Sequence, residues 1–360
     1  MSEVVNVSTW KRRAGDLLPG LLLTLVFAAI AFVTWWFLKG TWLKFSALLG
    51  AFIYSIIAGN LFPVLTRGRF SVGIDFSSGR LLRWVIALLG LTISAAVWAK
   101  LGGVGIATVL INLTFVFIFG FVFCRYVLRL SSSLAVLLGV GTSICGASAI
   151  AAIGPAIRAK AEEMGLAVAT ITLFGLVAMF TYPLLFTGPL VPWLGKDAIA
   201  YGMWTGTGVH EAAQVIAAAS QIDGALSIAA SAKFIRILMI GPMVFFSQLV
   251  CRRFSGETEA GQVKLAIPWF AVFFVIFTFV HFGLEQLAIR DQWLSLNSSY
   301  LTPAVSFLLA WAFAAIGFKV KISTIRKIGL KATLGGVVVA LVAGGSALLL
   351  TKYFFLPFYK

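Results

Sequence analysis

From Leu17 to Leu38 the chain carries no charged residue, and long apolar blocks closed by short polar loops recur from there to the C-terminus. A block of about 20 residues is what an α-helix needs to cross a hydrocarbon core about 30 Å thick. Such a block restricts the fold severely. Inside a bilayer every backbone N–H and C=O must be paired by the protein itself, which only helices and closed barrels achieve. Barrel strands alternate polar and apolar residues, and these blocks do not. Composition agrees: of 360 residues, 61% are hydrophobic and 11% charged, against about half and about a quarter in soluble domains. The sequence therefore predicts an all-α polytopic membrane protein with about eleven spans, near 17–38, 42–60, 84–100, 104–124, 133–153, 165–186, 198–220, 225–250, 266–286, 300–318 and 333–351. It reads as one domain over 1–360, with 1–16 as a cytoplasmic segment and 17–351 as the transmembrane bundle.

The formal net charge is +16, yet the basic residues are scattered through short loops, where Lys and Arg set topology rather than grip a polyanion. Nucleic acid is not an expected partner; the lipid bilayer is. With the N-terminus inside, the cytoplasmic loops collect most of the 28 lysines and arginines, which predicts N-in and C-out. Arg158 and Lys160 fall on the other side in this arrangement, an argument against one plain crossing at 133–153. Residues 61–83, containing Pro63, read as the longest early loop, and the spacing of Arg80 and Arg83 allows a short amphipathic helix within it. Leu17–Leu38, following Lys11-Arg12-Arg13, is too long for a signal h-region and reads as the first span. Cys124, Cys145 and Cys251 lack metal-ligand spacing, so no disulfide, zinc site or other cofactor is expected.

Polar residues inside the spans are few, and each is expensive at bilayer depth. GVGTSICGASAIAAIGP (139–155) interrupts a span with four glycines and a proline. Loosened backbone within a membrane is tolerated where it is buried in protein or lines a cavity. A half-helix starting there would offer free N–H groups, with Thr142, Ser143 and Ser148 adding hydroxyls around Gly146: a setting for an anion. The same spacing also suits a small-residue face for close helix packing. In GTGVHEAAQVIAAAS (206–220), Thr207, His210 and Gln214 share one helical stripe and Glu211 lies one step around. His and Glu suit proton coupling; equally, Glu211 could pair with Lys233 or Arg236. Those two cations lie three residues apart in SAKFIRILMIGP, on one helix face, where they could line a cavity for a dianion. His281 and Glu285 read as interfacial, and Asn112 as an interhelical hydrogen bond.

The HEAAQ run lacks the second histidine of a zinc hydrolase, no nucleophile–base pair stands out, and no GxxxxGK[ST] run is present. An enzyme is not expected. Two internal echoes, GTSICGASAIAA (141–152) with GTGVHEAAQVIA (206–217) and GLTISAAVWAKLG (90–102) with GFKVKISTIRKIG (317–329), are what a repeat-built transporter would carry, though Gly/Ala-rich spans also resemble one another by chance.

At GTSICG, VHEAAQV and AKFIRILMIGP the chain resembles the YeiH-like sulfate-exporter family of bacterial inner-membrane proteins, over most of its length from about residue 50. The run Ile153-Gly154-Pro155-Ala156 and the glycine-rich 206–209 depart from that family's pattern. The resemblance implies relation to cation–proton antiporters and bile-acid-type symporters, hence five-helix inverted repeats with interrupted crossing helices. It implies a site at Thr142, Ser143, Gly146 and neighbouring Ser148, joined by Thr207, His210, Glu211, Gln214, Lys233 and Arg236. The expectation is a secondary active transporter exporting a small inorganic or organosulfur-derived oxyanion such as sulfate or sulfite, with a coupling proton or sodium ion. The alternatives are a sodium-coupled organic-anion symporter and a passive anion channel. A homo-oligomer stays open.

Overall fold

A computed structural model of the chain describes residues 7–38, 46–94, 96–255, 269–287, 289–321 and 329–359. Within them the protein is helical, with no strand. In chain order the helices are α1 (Val7–Leu38), α2 (Ala47–Leu61), α3 (Ser71–Phe76), α4 (Leu82–Leu89), α5 (Ala96–Val122), α6 (Ser132–Ser143), α7 (Ala147–Ala156), α8 (Ala161–Thr187), α9 (Val191–Leu194), α10 (Ala198–Gly208), α11 (Ala212–Ala219), α12 (Leu226–Leu238), α13 (Ile240–Ser255), α14 (Trp269–Glu285), α15 (Arg290–Leu296), α16 (Thr302–Lys319) and α17 (Leu330–Leu350). Five stretches are long and apolar enough to cross a membrane: Gly15–Leu38, Ala96–Val127, Ala161–Thr187, Arg290–Lys319 and Leu330–Tyr359. The pair α12–α13, bent by 45° at Met239, makes a sixth if taken as one span, and shorter apolar helices fill the remainder. The protein is a polytopic helical membrane protein.

Besides 225–250, which is the bent pair α12–α13, three expected spans differ in form. The stretch 133–153 is not one helix but α6 and α7, separated at Ile144–Gly146. Likewise 198–220 divides into α10 and α11 around Val209–Glu211. The expected span 84–100 straddles a real break, because the helical run begins at Ser71 and ends at Thr92, where Ile93 turns extended. Asp75, Ser77, Ser78, Arg80 and Arg83 dilute the hydropathy of its first half, so a window average reads loop where the backbone is helical. Arg80 and Arg83 thus lie within this run rather than on a separate short helix.

The chain forms two compact units, one of Met1–Ser94 with Phe273–Ile322 and the other of Ala95–Val272 with Ser323–Lys360. In the first, α1 crosses α3 backbone to backbone: a Cβ at Gly20 would lie 2.2 Å from the Phe70 carbonyl oxygen, and one at Gly73 2.3 Å from that of Leu17. Ile74, Ala315 and Phe318 close over this contact, and Trp311 donates its indole N–H to Thr24 Oγ1 at 2.8 Å. In the second unit α10 lies against α12, where a Cβ at Gly206 would meet the Ala229 carbonyl at 2.4 Å. Beside them Tyr182 stacks on Trp204 at 4.1 Å, and the Trp204 indole donates to the Gly344 carbonyl at 3.0 Å. Without a hydrophobic drive between helices in lipid, close backbone approach is what holds such pairs. Gly73→Val is therefore expected to force α1 from α3 and lower stability by about 1–3 kcal/mol, read as a drop in the thermal midpoint of the purified protein.

Candidate functional site

The two broken helices, α6/α7 and α10/α11, belong to the same unit, and the helix beside them, α12, carries both buried cations. An α-helix ends with carbonyls that have no intrahelical donor and bear partial negative charge. Here those carbonyls come from two helices at once. The Arg236 guanidinium donates Nε to Ser143 O at 2.7 Å, Nη2 to Thr142 O at 2.6 Å, and Nη1 to Thr207 O at 2.5 Å, Val209 O at 3.0 Å and Gly206 O at 3.3 Å. Lys233 Nζ donates to Ile144 O at 2.7 Å, to Val209 O at 2.9 Å and to His210 O. Each cation thus bridges the C-terminal ends of α6 and α10. Exposure is 1% for Lys233 and 2% for Arg236, so neither offers a free donor to a cavity. Desolvating a charge this deeply costs several kcal/mol, and the converging carbonyls replace the lost water.

The opposite ends of the breaks, the N-termini of α7 and α11, carry free amides and partial positive charge. Both are capped by one carboxylate. Glu211 accepts the backbone N–H of Ala147 at the start of α7, and closes a reciprocal capping box with Gln214 at the start of α11. Thr172 of α8 donates its hydroxyl to Glu211 Oε1 at 3.2 Å. Gln214 accepts from the Glu211 N–H at 3.2 Å and donates to Thr172 O at 3.2 Å. Two glycines make room. Gly146 has φ +61°, which disfavours any side chain, and a Cβ there would sit 2.4 Å from Glu211 Cγ; a Cβ at Gly175 would sit 1.9 Å from Gln214 Oε1. Among the described residues no ion pair joins Glu211 to Lys233 or Arg236. The two expected arrangements, cations lining a cavity or cations paired to Glu211, are both replaced by cations on carbonyls and a carboxylate on amides.

The remaining residues singled out in the sequence sort by exposure. Thr142 and Ser143 are buried and serve through their main-chain oxygens. Gln214 is buried, Glu211 is half-buried, and Ser148 is exposed in the first turn of α7. Among the described residues, His210, at 1% exposure, has no hydrogen-bond partner for either ring nitrogen, and the Thr207 hydroxyl has none. Asn112 bridges Thr207 O at 3.4 Å and the Ser346 hydroxyl at 2.7 Å, an interhelical bond that reaches the α10 break. Thr172, Gly175 and Ser346 carry no mark in the sequence; threonine in an apolar helix gives no sign of its partner 39 residues away. His281 and Glu285 lie in the other unit. Arg236→Leu is expected to strip donors from both helix ends and destabilise the protein by about 3–5 kcal/mol, seen as loss of a folded monodisperse peak after extraction, whereas Ser148→Ala should leave that peak intact.

Residues 19–336 match the family profile described as "Conserved hypothetical protein 698". Over 354 residues the chain is 31% identical to the UPF0324 inner membrane protein YeiH of Salmonella typhi, covering 97% of each chain. It is 35% identical over 330 residues to a UPF0324 membrane protein of Pseudomonas aeruginosa, covering 88% of each. Against YeiH of Escherichia coli K12 the figure is 31% over 353 residues, covering 96% of this chain and 97% of the relative. No solved structure matches. The profile match and the nearly end-to-end alignment with these membrane proteins place the chain as a member of the UPF0324, YeiH-like family of inner-membrane proteins.

Proposed function

We propose that the protein is a secondary active transporter of small oxyanions such as sulfate or sulfite, working outward across the bacterial inner membrane and coupled to protons through Glu211. One observation carries this reading. The Glu211 carboxylate lies at the N-termini of α7 and α11, and among the described residues the hydrogen-bond donors that reach it are neutral. Converging helix N-termini suit an oxyanion, and Glu211 supplies one from within the chain. While ionised it fills the amide donors and repels a second anion. Once protonated it releases both charge and donors, and Ser148 adds a hydroxyl at the same turn. Proton uptake and anion loading are then linked, each favouring the other.

Lys233 and Arg236 contribute as fixed charge rather than as ligands. Two cations against one carboxylate leave a positive excess at the breaks, which favours an anionic cargo. A dianion leaving with one proton carries net negative charge outward, down an inside-negative potential worth about 2.3 kcal/mol per charge per 100 mV. The basic loops favour a cytoplasmic N-terminus, and the reading contains no catalytic step.

The test is ligand-induced stabilisation of the purified protein by sulfate and sulfite across pH, with efflux from proteoliposomes alongside. Anion affinity should weaken as pH rises, by up to about tenfold per unit where one proton accompanies one anion. Glu211→Gln should bind with the pH dependence flattened. If that variant keeps the wild-type pH dependence, Glu211 is not the coupling group. Flux of an organic anion that stops when choline replaces sodium would favour the sodium symporter, and current without any coupling ion would favour a channel.

A further inference from the structure

The unit built from Met1–Ser94 and Phe273–Ile322 holds its own cluster of polar side chains, none of which the transport reading uses. It lies at the end of the α3–α4 run, where Ile93 leaves the helix and the last carbonyls need donors from elsewhere. His281 of α14, 3% exposed, reaches that end. Its Nδ1 stands 2.6 Å from the Leu91 carbonyl oxygen, an acceptor. The same nitrogen stands 3.0 Å from Asn297 Nδ2 and 3.3 Å from Trp293 Nε1, both donors. The Asn297 amide is oriented by Thr302, whose hydroxyl donates to Asn297 Oδ1 at 3.0 Å, and its Nδ2 also donates to Leu91 O at 3.2 Å. On the other side of the ring, Nε2 lies 3.2 Å from Glu285 Oε1, while Ser94 donates to Glu285 Oε2 at 2.5 Å.

One ring nitrogen cannot serve one acceptor and two donors together. With a proton on Nδ1 it donates to Leu91 O; without one, its lone pair accepts from Asn297 or Trp293. Nε2 keeps its proton for Glu285 in either case. We propose that His281 is a proton-binding switch that exchanges the Leu91 carbonyl of the α4 end for the donors of the helical run Arg290–Lys319. Loaded, the imidazolium sits between a carbonyl and a carboxylate and clamps the helix end to α14. Unloaded, it turns to Asn297 and Trp293 and leaves Leu91 with the Asn297 bond alone. The charged groups around it are few. Glu285 is the ionisable partner from α14; Arg290 and Asp291 at the start of α15 are exposed; the segment 86–94 contributes none. This inference stands apart from the transport reading, because it rests on contacts within the other unit alone.

The chain has two histidines, His210 and His281, so uniform ¹⁵N-histidine labelling yields two resolvable rings. Solid-state NMR of the full chain in lipid nanodiscs from about pH 9 to about pH 5 should show one ring in which Nε2 stays protonated throughout while Nδ1 gains a proton toward acid. That ring should vanish in His281→Gln. Relative to the intrinsic base-catalysed rate at each pH, the amides at 90–94 should be roughly tenfold better protected from hydrogen exchange at the acid end than at the alkaline end. An Nδ1 that never changes, or a change in Nδ1 with no response at 90–94, would overturn the switch. The wild-type titration decides this even if His281→Gln does not fold.

Discussion

Two buried cations holding the carbonyl ends of two helices make the rest of this structure possible. A helix broken in mid-membrane exposes carbonyls where water cannot reach them, and an unpaired buried polar group costs several kcal/mol. Lys233 and Arg236 meet that cost for α6 and α10 together, with hydrogen bonds drawn from both breaks. Arginine suits the larger share because its planar fork directs donors along several lines at once, and a lysine in its place would lose that fan. The charge of each side chain is balanced by peptide dipoles instead of a counter-ion, which leaves the carboxylate nearby unclaimed.

That unclaimed carboxylate is where stability and function meet. Glu211 touches two half-helix N-termini and a threonine hydroxyl, none of which carries full charge. A salt bridge with Lys233 would have fixed its ionisation. Neutral donors hold it in position instead. Opposite helix ends thus receive opposite charges: two cations on the carbonyl side, one carboxylate on the amide side.

Much of this was legible in the sequence, and the reasons for the rest are physical. Apolar blocks identified the class, and the glycine run at 139–155 marked the first break, because backbone irregularity leaves a compositional trace; the second, at 209–211, lay in a stretch that reads as one helical stripe. The partners of Lys233 and Arg236 were not legible. Backbone carbonyls are present at every position, so a cation that binds them leaves no second residue type to find, and pairing with Glu211 or a free ligand looked equally sound. Thr172 and Gly175 were invisible for a related reason: a hydroxyl or a missing side chain in an apolar helix has many uses. The helix beginning at Ser71 was hidden by its own polar face, and the break at Ile93 by Ala and Val beyond it, which extend the hydropathy as though nothing had ended. His281 and Glu285 read as interfacial, but the ring is buried against the end of α4.

The hydrogen-only Cα of Gly146, against which the Glu211 methylene rests, binds the history of the two breaks together. A drifting lineage cannot acquire alanine at 146 while glutamate stands at 211, since methyl and methylene would occupy one volume. Shortening 211 to aspartate would not admit it, because aspartate keeps a Cγ in the same place and the positive φ of Gly146 strains any side chain there. Glycine at 146 is thus required twice over, by its own backbone conformation and by the approach of a side chain from the other break.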